Sequence, residues 1–566
     1  GPYGFLWFEL QKAQEPAEPA AAENAQFAGA VIMTSGWEGV FEGAGKNILE
    51  RNLPAFLGKQ RWFGGKSRRI LSTEIIDWAD IAKGHAALAI LVVRYQDSGS
   101  EQYLLPLAAS YGIAAGAIRS TSPLAILCPA ISLEDNGSIH DAMLEDDLCK
   151  ELLRCIGEQQ HIPTSHGKIH GYRSAQFPEL RGPADADLTP SRHSGEQSNS
   201  SILYGERLIL KLFRKVEPGP NPDSEIGRYL TEKTDFRRIP PFAGSIEYVR
   251  DGEIPTTTAL LQGLVANEGD GWKWFQGELA RYYEEHAPVQ FPADASLPAG
   301  TLIERAEHPA NEFAREHLGL SLDSAGLLGR RTAEMHLALA SPTSDPAFTP
   351  EPLGGDDCQE LAQEFRLHAI RVLDLLKENL AALPDDFLEQ GALLLSRRRD
   401  MLNAFQTLGA SDAGGLKTRI HGDYHLGQVL LVKHDFVILD FEGEPARSLA
   451  ERRAKRSPLK DVAGMLRSFS YAAHAATFAY LARHPDHGER LDPWTRLWEQ
   501  TTTAEFLRAY RAAVADSAVV PPSADGFRRL LDAYLLDKAL YELRYELDAR
   551  PAWVKIPALG ILSLLQ

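Results

Sequence analysis

At 566 residues the chain is longer than one hydrophobic core supports, so two or three domains are expected. Its 77 acidic residues outnumber 59 basic ones, for a net charge of −18 and a pI near 5.5, which excludes nonspecific binding to nucleic acid or to an anionic membrane surface. Cys128, Cys149, Cys155 and Cys358 show no CxxC spacing and no disulfide framework, the longest wholly apolar run (86–93) is far too short to span a bilayer, and no basic-then-apolar signal opens the chain; the expectation is a soluble cytoplasmic protein acting on a small molecule.

In chain order, GPYGFLWFEL has an aromatic strand pattern and runs into QKAQEPAEPAAAENAQ, which has linker composition. An isolated strand before a linker is expected to be the edge of another domain. From Trp37 onward the pattern is mixed: a helix over 47–57, the segment Gln60-Arg-Trp-Phe-Gly-Gly-Lys66, then strands over 86–95 and 102–107. This is a small α+β cap, in which Trp62 and Phe63 are expected to pack. Next comes a β-rich lobe. Strands over 201–204 and 207–213 flank Gly205-Glu206 as a hairpin, and alternation puts Ile209, Lys211 and Phe213 on one face, so that Lys211 points inward. Before it, Gly195-Glu-Gln-Ser-Asn-Ser-Ser201 is either a plain turn or a loop that offers backbone N–H groups and the Ser200 hydroxyl to phosphate. A strand over 259–265 follows, and beyond it helical spacing dominates: 272–286, 329–339 and 357–379. These shifts divide the chain into 1–35, 36–130, 131–265 and 266–566.

The most informative segment is RIHGDYHLGQVLLVKHDFVILDFEGEP, residues 419–445. Moving a γ-phosphoryl group to a hydroxyl needs a carboxylate to orient and deprotonate the acceptor, and oxygen ligands that hold Mg²⁺ against the polyphosphate. Asp423 fits the first role. Gln428, five residues on, and Asp440, beyond a short hairpin around Lys433-His434-Asp435, fit the second. Protein kinases keep the same spacing in His-Arg-Asp, Asn and Asp-Phe-Gly; here Gly422, Gln428 and Glu442 replace Arg, Asn and Gly. In that frame Lys211 binds the α and β phosphates, Glu225 is the acid from the following helix that holds it, and Gln262 to Leu264 form the hinge that meets adenine. Arg447 to Lys460 is strongly basic, but in an acidic chain it is expected to pair with its own carboxylates. Asp461 after it either caps a helix or clamps the catalytic loop.

Together with QRWFGGK (60–66), EQSNSSILYGERLILKLFRK (196–215), NEGDGW (267–272), LGRRTAEMHLAL (328–339) and DKALYELRYE (537–546), the chain from about Trp37 to its end resembles bacterial maltokinase. The resemblance implies a bilobal α+β fold, like that of protein kinases and aminoglycoside phosphotransferases, with an extra N-terminal cap. It also implies ATP- and Mg²⁺-dependent phosphorylation of maltose at C1. The opening ten residues resemble the last strand of trehalose synthase, which some bacteria fuse to maltokinase. Carried over, Asp423 is the catalytic base, Gln428 and Asp440 ligate Mg²⁺, Lys211 and Glu225 form the phosphate-binding pair, and Glu442 touches metal or sugar. On the last long helix Leu536, Leu540, Leu543 and Leu547 share one side, and Lys538, Tyr541 and Tyr545 the other. That polar side either lines a disaccharide pocket, with His421 at its chemical end and Trp272 nearby, or is an ordinary amphipathic surface. A kinase of another sugar such as glucosamine, or a silent module regulating a fused trehalose synthase, is the competing expectation.

Overall fold

The computed structural model describes residues 27–565 apart from 34, 35, 134, 194–197, 294, 296, 411 and 412. The trehalose-synthase-like segment and its linker fall almost wholly outside the described residues, as do Gly195, Glu196 and Gln197.

Two sheets stack at the N-terminal end. The cap sheet contains β1 (Val31–Ile32), β2 (Ile70–Asp80), β3 (Ala86–Tyr95), β4 (Ser100–Tyr111), β5 (Ile126–Ile131) and β6 (Asn136–Asp141), in the order β1-β5-β6-β4-β3-β2. The second comprises β7 (His161–Pro163), β8 (Gly167–Arg173), β9 (Pro190–His193), β10 (Asn199–Tyr204) and β11 (Leu208–Phe213). After β12 (Lys215–Val216), which crosses to pair with β4, β13 (Phe242–Arg250) and β14 (Thr256–Gly263) complete it, in the order β7-β8-β13-β14-β11-β10-β9. The unbroken apolar run of β3 follows from burial on both faces. Ala87, Ala89, Leu91 and Val93 face the core shared with the helix Gly43–Lys59, while Ala86, Leu88 and Ile90 join Leu208, Leu210 and Leu212 in the core beneath the second sheet.

The expected elements over 86–95, 47–57 and 201–213 are present, the helix longer at both ends and the hairpin closed by a three-residue loop, 205–207. Lys211 points inward as the alternation requires and is 7% exposed. Beyond β14 the chain is helical, and one large core holds the helices Gly271–His286, Glu312–Leu339, Gly355–Asn379, Leu459–Leu481, Gly488–Val514 and Ala524–Ala549 around buried Trp494 and Trp498. β15 (Glu351–Pro352) and β16 (Leu416–Lys417) form a small ladder ahead of the loop 421–428. β17 (Val429–Val432) and β18 (Asp435–Ile438) form the expected hairpin, with positive φ at Lys433 (49°) and His434 (65°), the turn that matches strand twist. No described helix is long and apolar enough to cross a membrane.

Candidate active site

The loop His421–Gln428 lies between the two lobes and is held from below. Asp461, in the first turn of the helix Leu459–Leu481, accepts the backbone N–H groups of His421 (2.7 Å) and Gly422 (2.9 Å), and its Oδ2 also meets His336 Nε2 at 3.2 Å. It does not cap that helix, whose N-cap is Pro458; it clamps the loop. Two glycines permit this. Gly422 sits at φ 88°, a region costly for other residues, and a Cβ at Gly464 would stand 2.5 Å from the Tyr424 carbonyl. The His421 ring is 1% exposed: Nε2 donates to the Leu439 carbonyl (2.9 Å) and Nδ1 accepts the Asp423 N–H (3.4 Å). This corrects the expectation that His421 meets the sugar. It is the post that ties the loop 421–428 to the end of the β17–β18 hairpin.

Asp423 faces a polar pocket with its side chain 24% exposed, and Lys538 Nζ lies 3.5 Å from it. Burial pushes its carboxyl up, but Lys538, His425, His421 and Lys460 outweigh burial and hold it below the ordinary carboxylate value. The group is therefore ionised at neutral pH, as a proton acceptor must be.

On the other side of the loop Lys211 is shared by Asp223 and Asp440, 3.1 Å from each. The acid that pairs with Lys211 is thus Asp223, not Glu225. Both lie in the first turn of the helix Pro222–Lys233, two residues and so about 200° apart. Glu225 turns away to Arg419 (2.6 Å) and Arg453 (2.7 Å). Asp440 adopts φ 68°, and Asp223 also accepts the Phe441 N–H at 3.0 Å, which fixes the loop after Asp440. The Gln428 amide donates to Asp440 Oδ2 (3.1 Å) through its NH₂ group, so its oxygen reaches a cation only if the amide turns. Glu442 accepts from Asn199 (2.8 Å), and burial with the charges of Asp440 and Asp223 raises its carboxyl to about 8.

Asp223, Asp440 and Glu442 each offer a carboxylate oxygen within 4.8 Å of the others, the hard, all-oxygen donor set that suits Mg²⁺. The residues present fit such an ion.

The nucleotide expectations fare unevenly. The Ser200 hydroxyl accepts from Arg214 (2.8 Å), a buried cation also bonded to Asp141 (2.7 Å). Gln262 lies in register between Ile209 and Phe242 on β14 with a buried side chain, and the Leu264 N–H donates to the Arg207 carbonyl (2.7 Å), so that donor is already engaged.

The pocket beyond Asp423 is walled by Lys538 and Tyr541, with the Lys538 ammonium 4.8 Å from the Tyr541 ring centre. Burial lowers Lys538, but Asp423, Glu444 and Glu542 more than restore it, so it stays charged. Tyr545, one turn on, lies outside the pocket at 51% exposure under Arg550, and Trp272 packs against the large core, away from it. These two expectations are corrected: the periodicity placed Tyr545 on the right side of the helix but too far along its axis, and Trp272 follows the common fate of tryptophan. Leu536, Leu540 and Leu543 are buried as expected, with Leu547 partly so. Among the other carboxylates lining the pocket, Glu444 pairs with Lys460 (3.2 Å), Glu364 with Arg456 (3.3 Å) and Glu451 with Arg447 (3.1 Å), while Asp537 is hydrogen-bonded to His368 (2.7 Å). The basic run pairs internally too, through Arg452–Glu217 (2.9 Å), Arg453–Glu225 and Lys455–Glu351 (2.7 Å). Asp223, Glu444 and Asp537 are the site residues that sequence reasoning missed, and only the proximity of Asp223 to Glu225 gave any signal for the first.

Residues 56–131 match the family described as the maltokinase N-terminal cap domain. The chain thus carries a cap of the maltokinase type. It is 23% identical over 467 residues to a glucosamine kinase of Streptacidiphilus jiangxiensis, covering 80% of this chain and 89% of the relative. It is 27% identical over 375 residues to a glucosamine kinase of Mycolicibacterium smegmatis, covering 65% and 78%. A solved glucosamine kinase in complex with glucosamine, ADP and inorganic phosphate superposes with a TM-score of 0.57 at 22% identity, over 87% of this chain and 94% of that one. The chain thus has a bilobal α+β kinase-like fold carrying an N-terminal cap.

Proposed function

We propose that the chain is an ATP-dependent sugar kinase, that its acceptor is maltose, and that the anomeric hydroxyl receives the phosphoryl group, giving maltose 1-phosphate. One observation carries the reaction class: an ionised carboxylate, Asp423, facing a polar pocket, on the same loop as Gln428, whose amide bonds Asp440, the partner of Lys211. Asp423 accepts the hydroxyl proton as the oxygen attacks phosphorus, and the bond to the leaving ADP oxygen breaks on the opposite side. Lys538 keeps Asp423 ionised, while Lys211 meets the nucleotide phosphates. Asp223, Asp440 and Glu442 would hold Mg²⁺, joined by Gln428 if its amide turns, and the ion would supply charge neutralisation on the polyphosphate.

The pairing of the pocket carboxylates supports a neutral acceptor. A disaccharide's hydroxyls bond to such pairs without leaving a buried charge uncompensated, whereas an ammonium needs a carboxylate that lacks a fixed cation. Asp537 is the one observation favouring a second reading, glucosamine, because its partner is a histidine; the names of the relatives point the same way. An upstream trehalose synthase that supplies maltose belongs to the first reading. The test is ADP release with Mg·ATP and maltose, glucose, glucosamine or trehalose, with the phosphate position read by NMR. Selectivity for maltose with an anomeric phosphate supports the proposal. Selectivity for glucosamine transfers it to the second reading, and silence with every sugar leaves a regulatory module.

A further inference from the structure

The first turn of the helix Pro222–Lys233 makes two sets of contacts on opposite sides. One side is Asp223, under Lys211 and the Phe441 N–H. The other is Glu225, whose side chain is 14% exposed and bound on both oxygens: Oε2 accepts from Arg419 Nη1 (2.6 Å) and Arg453 Nε (3.0 Å), and Oε1 from Arg453 Nη2 (2.7 Å). Arg419 is 1% exposed and stands two residues before His421, at the entrance to the catalytic loop. Arg453 ends the short helix Leu449–Arg453, which follows the Asp440 loop and presents Glu451 and Arg452 to the acceptor pocket. A second tie joins this helix to the same lobe: Glu217 accepts the Leu449 N–H (3.1 Å) and Arg452 Nη2 (2.9 Å), while Arg452 Nη1 donates to the Glu442 carbonyl (3.2 Å).

We infer that Glu225 is a positioning residue that couples the nucleotide side of the cleft to the acceptor pocket, by fastening the Leu449–Arg453 helix and the entrance of the catalytic loop to the helix that presents Asp223 to Lys211. The inference rests on the kinase reading but not on which sugar is the acceptor. The physical reason is bidentate geometry. Arg453 and Arg419 converge on one carboxylate, so a displacement of the Pro222 helix as Lys211 exchanges Asp440 for phosphate is transmitted to both. Linkage then requires that nucleotide and acceptor each change the other's affinity by the same factor.

The test follows amide hydrogen exchange over residues 444–456 in the full chain, with and without Mg·ADP and with no sugar present, in wild type, Glu225→Gln and Glu217→Gln. The expected result is a nucleotide-dependent change in protection in wild type that is lost in Glu225→Gln and weakened in Glu217→Gln. At saturating Mg·ATP, kcat/KM for the acceptor falls about 5- to 150-fold in Glu225→Gln, the range of ordinary coupling, while the affinity for Mg·ADP titrated with no acceptor present stays within about threefold of wild type. A merely structural Glu225 would lower the melting temperature yet leave the nucleotide response of this segment intact, which overturns the inference; so does a wild-type segment that ignores Mg·ADP. If Glu225→Gln fails to fold, Glu217→Gln carries the same comparison, and an undiminished response in it is equally contrary. Failure of a direct titration to detect Mg·ADP binding would refute the kinase reading itself, and the coupling with it.

Discussion

Asp461→Asn keeps the size of the side chain and removes its charge, at a site where every bond can be followed. The carboxylate receives Gly422 N–H on Oδ1 and both His421 N–H and His336 on Oδ2. The amide does best with its oxygen in the Oδ2 position, which leaves its NH₂ facing the Gly422 N–H, donor against donor. One charge-assisted bond is lost outright, at about 1.5–3 kcal/mol, and the remaining two weaken, so about 2–4 kcal/mol is a reasonable total. Since about 1.4 kcal/mol is tenfold, placing the whole loss on the alignment of Asp423 lowers kcat by roughly 30- to 1,000-fold; any share expressed as lost stability lowers the melting temperature instead. Steady-state turnover with saturating Mg·ATP, together with thermal melts, separates the two. The wild-type contribution is pH-dependent. Burial raises the Asp461 carboxyl, but His336, His421 and the Gly422 N–H lower it further. Its folded value thus lies below the unfolded one, and the stability it confers is complete above the unfolded value near 4 and is lost as pH falls through the folded value. A variant with turnover within threefold of wild type and an unchanged melting curve would refute the clamp.

Lys538→Met removes the cation that opposes burial at Asp423, so the acid limb of the kcat/KM profile shifts to higher pH; an unmoved limb contradicts the assignment. Glu442→Gln, if Glu442 shares the cation with Asp440, raises the Mg²⁺ concentration for half-maximal activity by about 10- to 100-fold, read from a Mg²⁺ titration at fixed ATP. The same variant has a signature without ligand. A carboxyl raised to about 8 binds more protons folded than unfolded between pH 4.3 and 8, so wild-type stability falls with rising pH by up to about 1.4 kcal/mol per unit in that window, and the Gln variant lacks this slope. Parallel melting curves of the two proteins from pH 6 to 8 would contradict it.

Much of this site was legible because its chemistry is local in sequence. Asp423, Gln428 and Asp440 lie within one loop–hairpin–loop, and the hairpin betrays itself by two short β-branched and leucine-rich runs around a polar turn. Lys211 followed from period-two alternation alone. What stayed hidden depends on orientation about an axis. Asp223 and Glu225 are both first-turn acids, and only packing against β11 and the catalytic loop decides which one meets Lys211. Likewise the helical wheel of 536–547 sorted leucines from polar residues, but it carries no information on how far along the helix the pocket reaches, so Tyr541 is in it and Tyr545 is not. His421 illustrates a third limit: a histidine beside a candidate catalytic carboxylate invites a chemical role, while its two ring nitrogens are occupied by backbone bonds, one within its own loop and one to Leu439.

The most direct test is single-turnover phosphoryl transfer from Mg·ATP to maltose, run side by side with wild type and a folded Asp423→Asn. The account predicts rapid formation of maltose 1-phosphate by wild type and a rate about 10²- to 10⁴-fold lower in the variant, the usual worth of a positioned general base. Equal rates in the two proteins would contradict it.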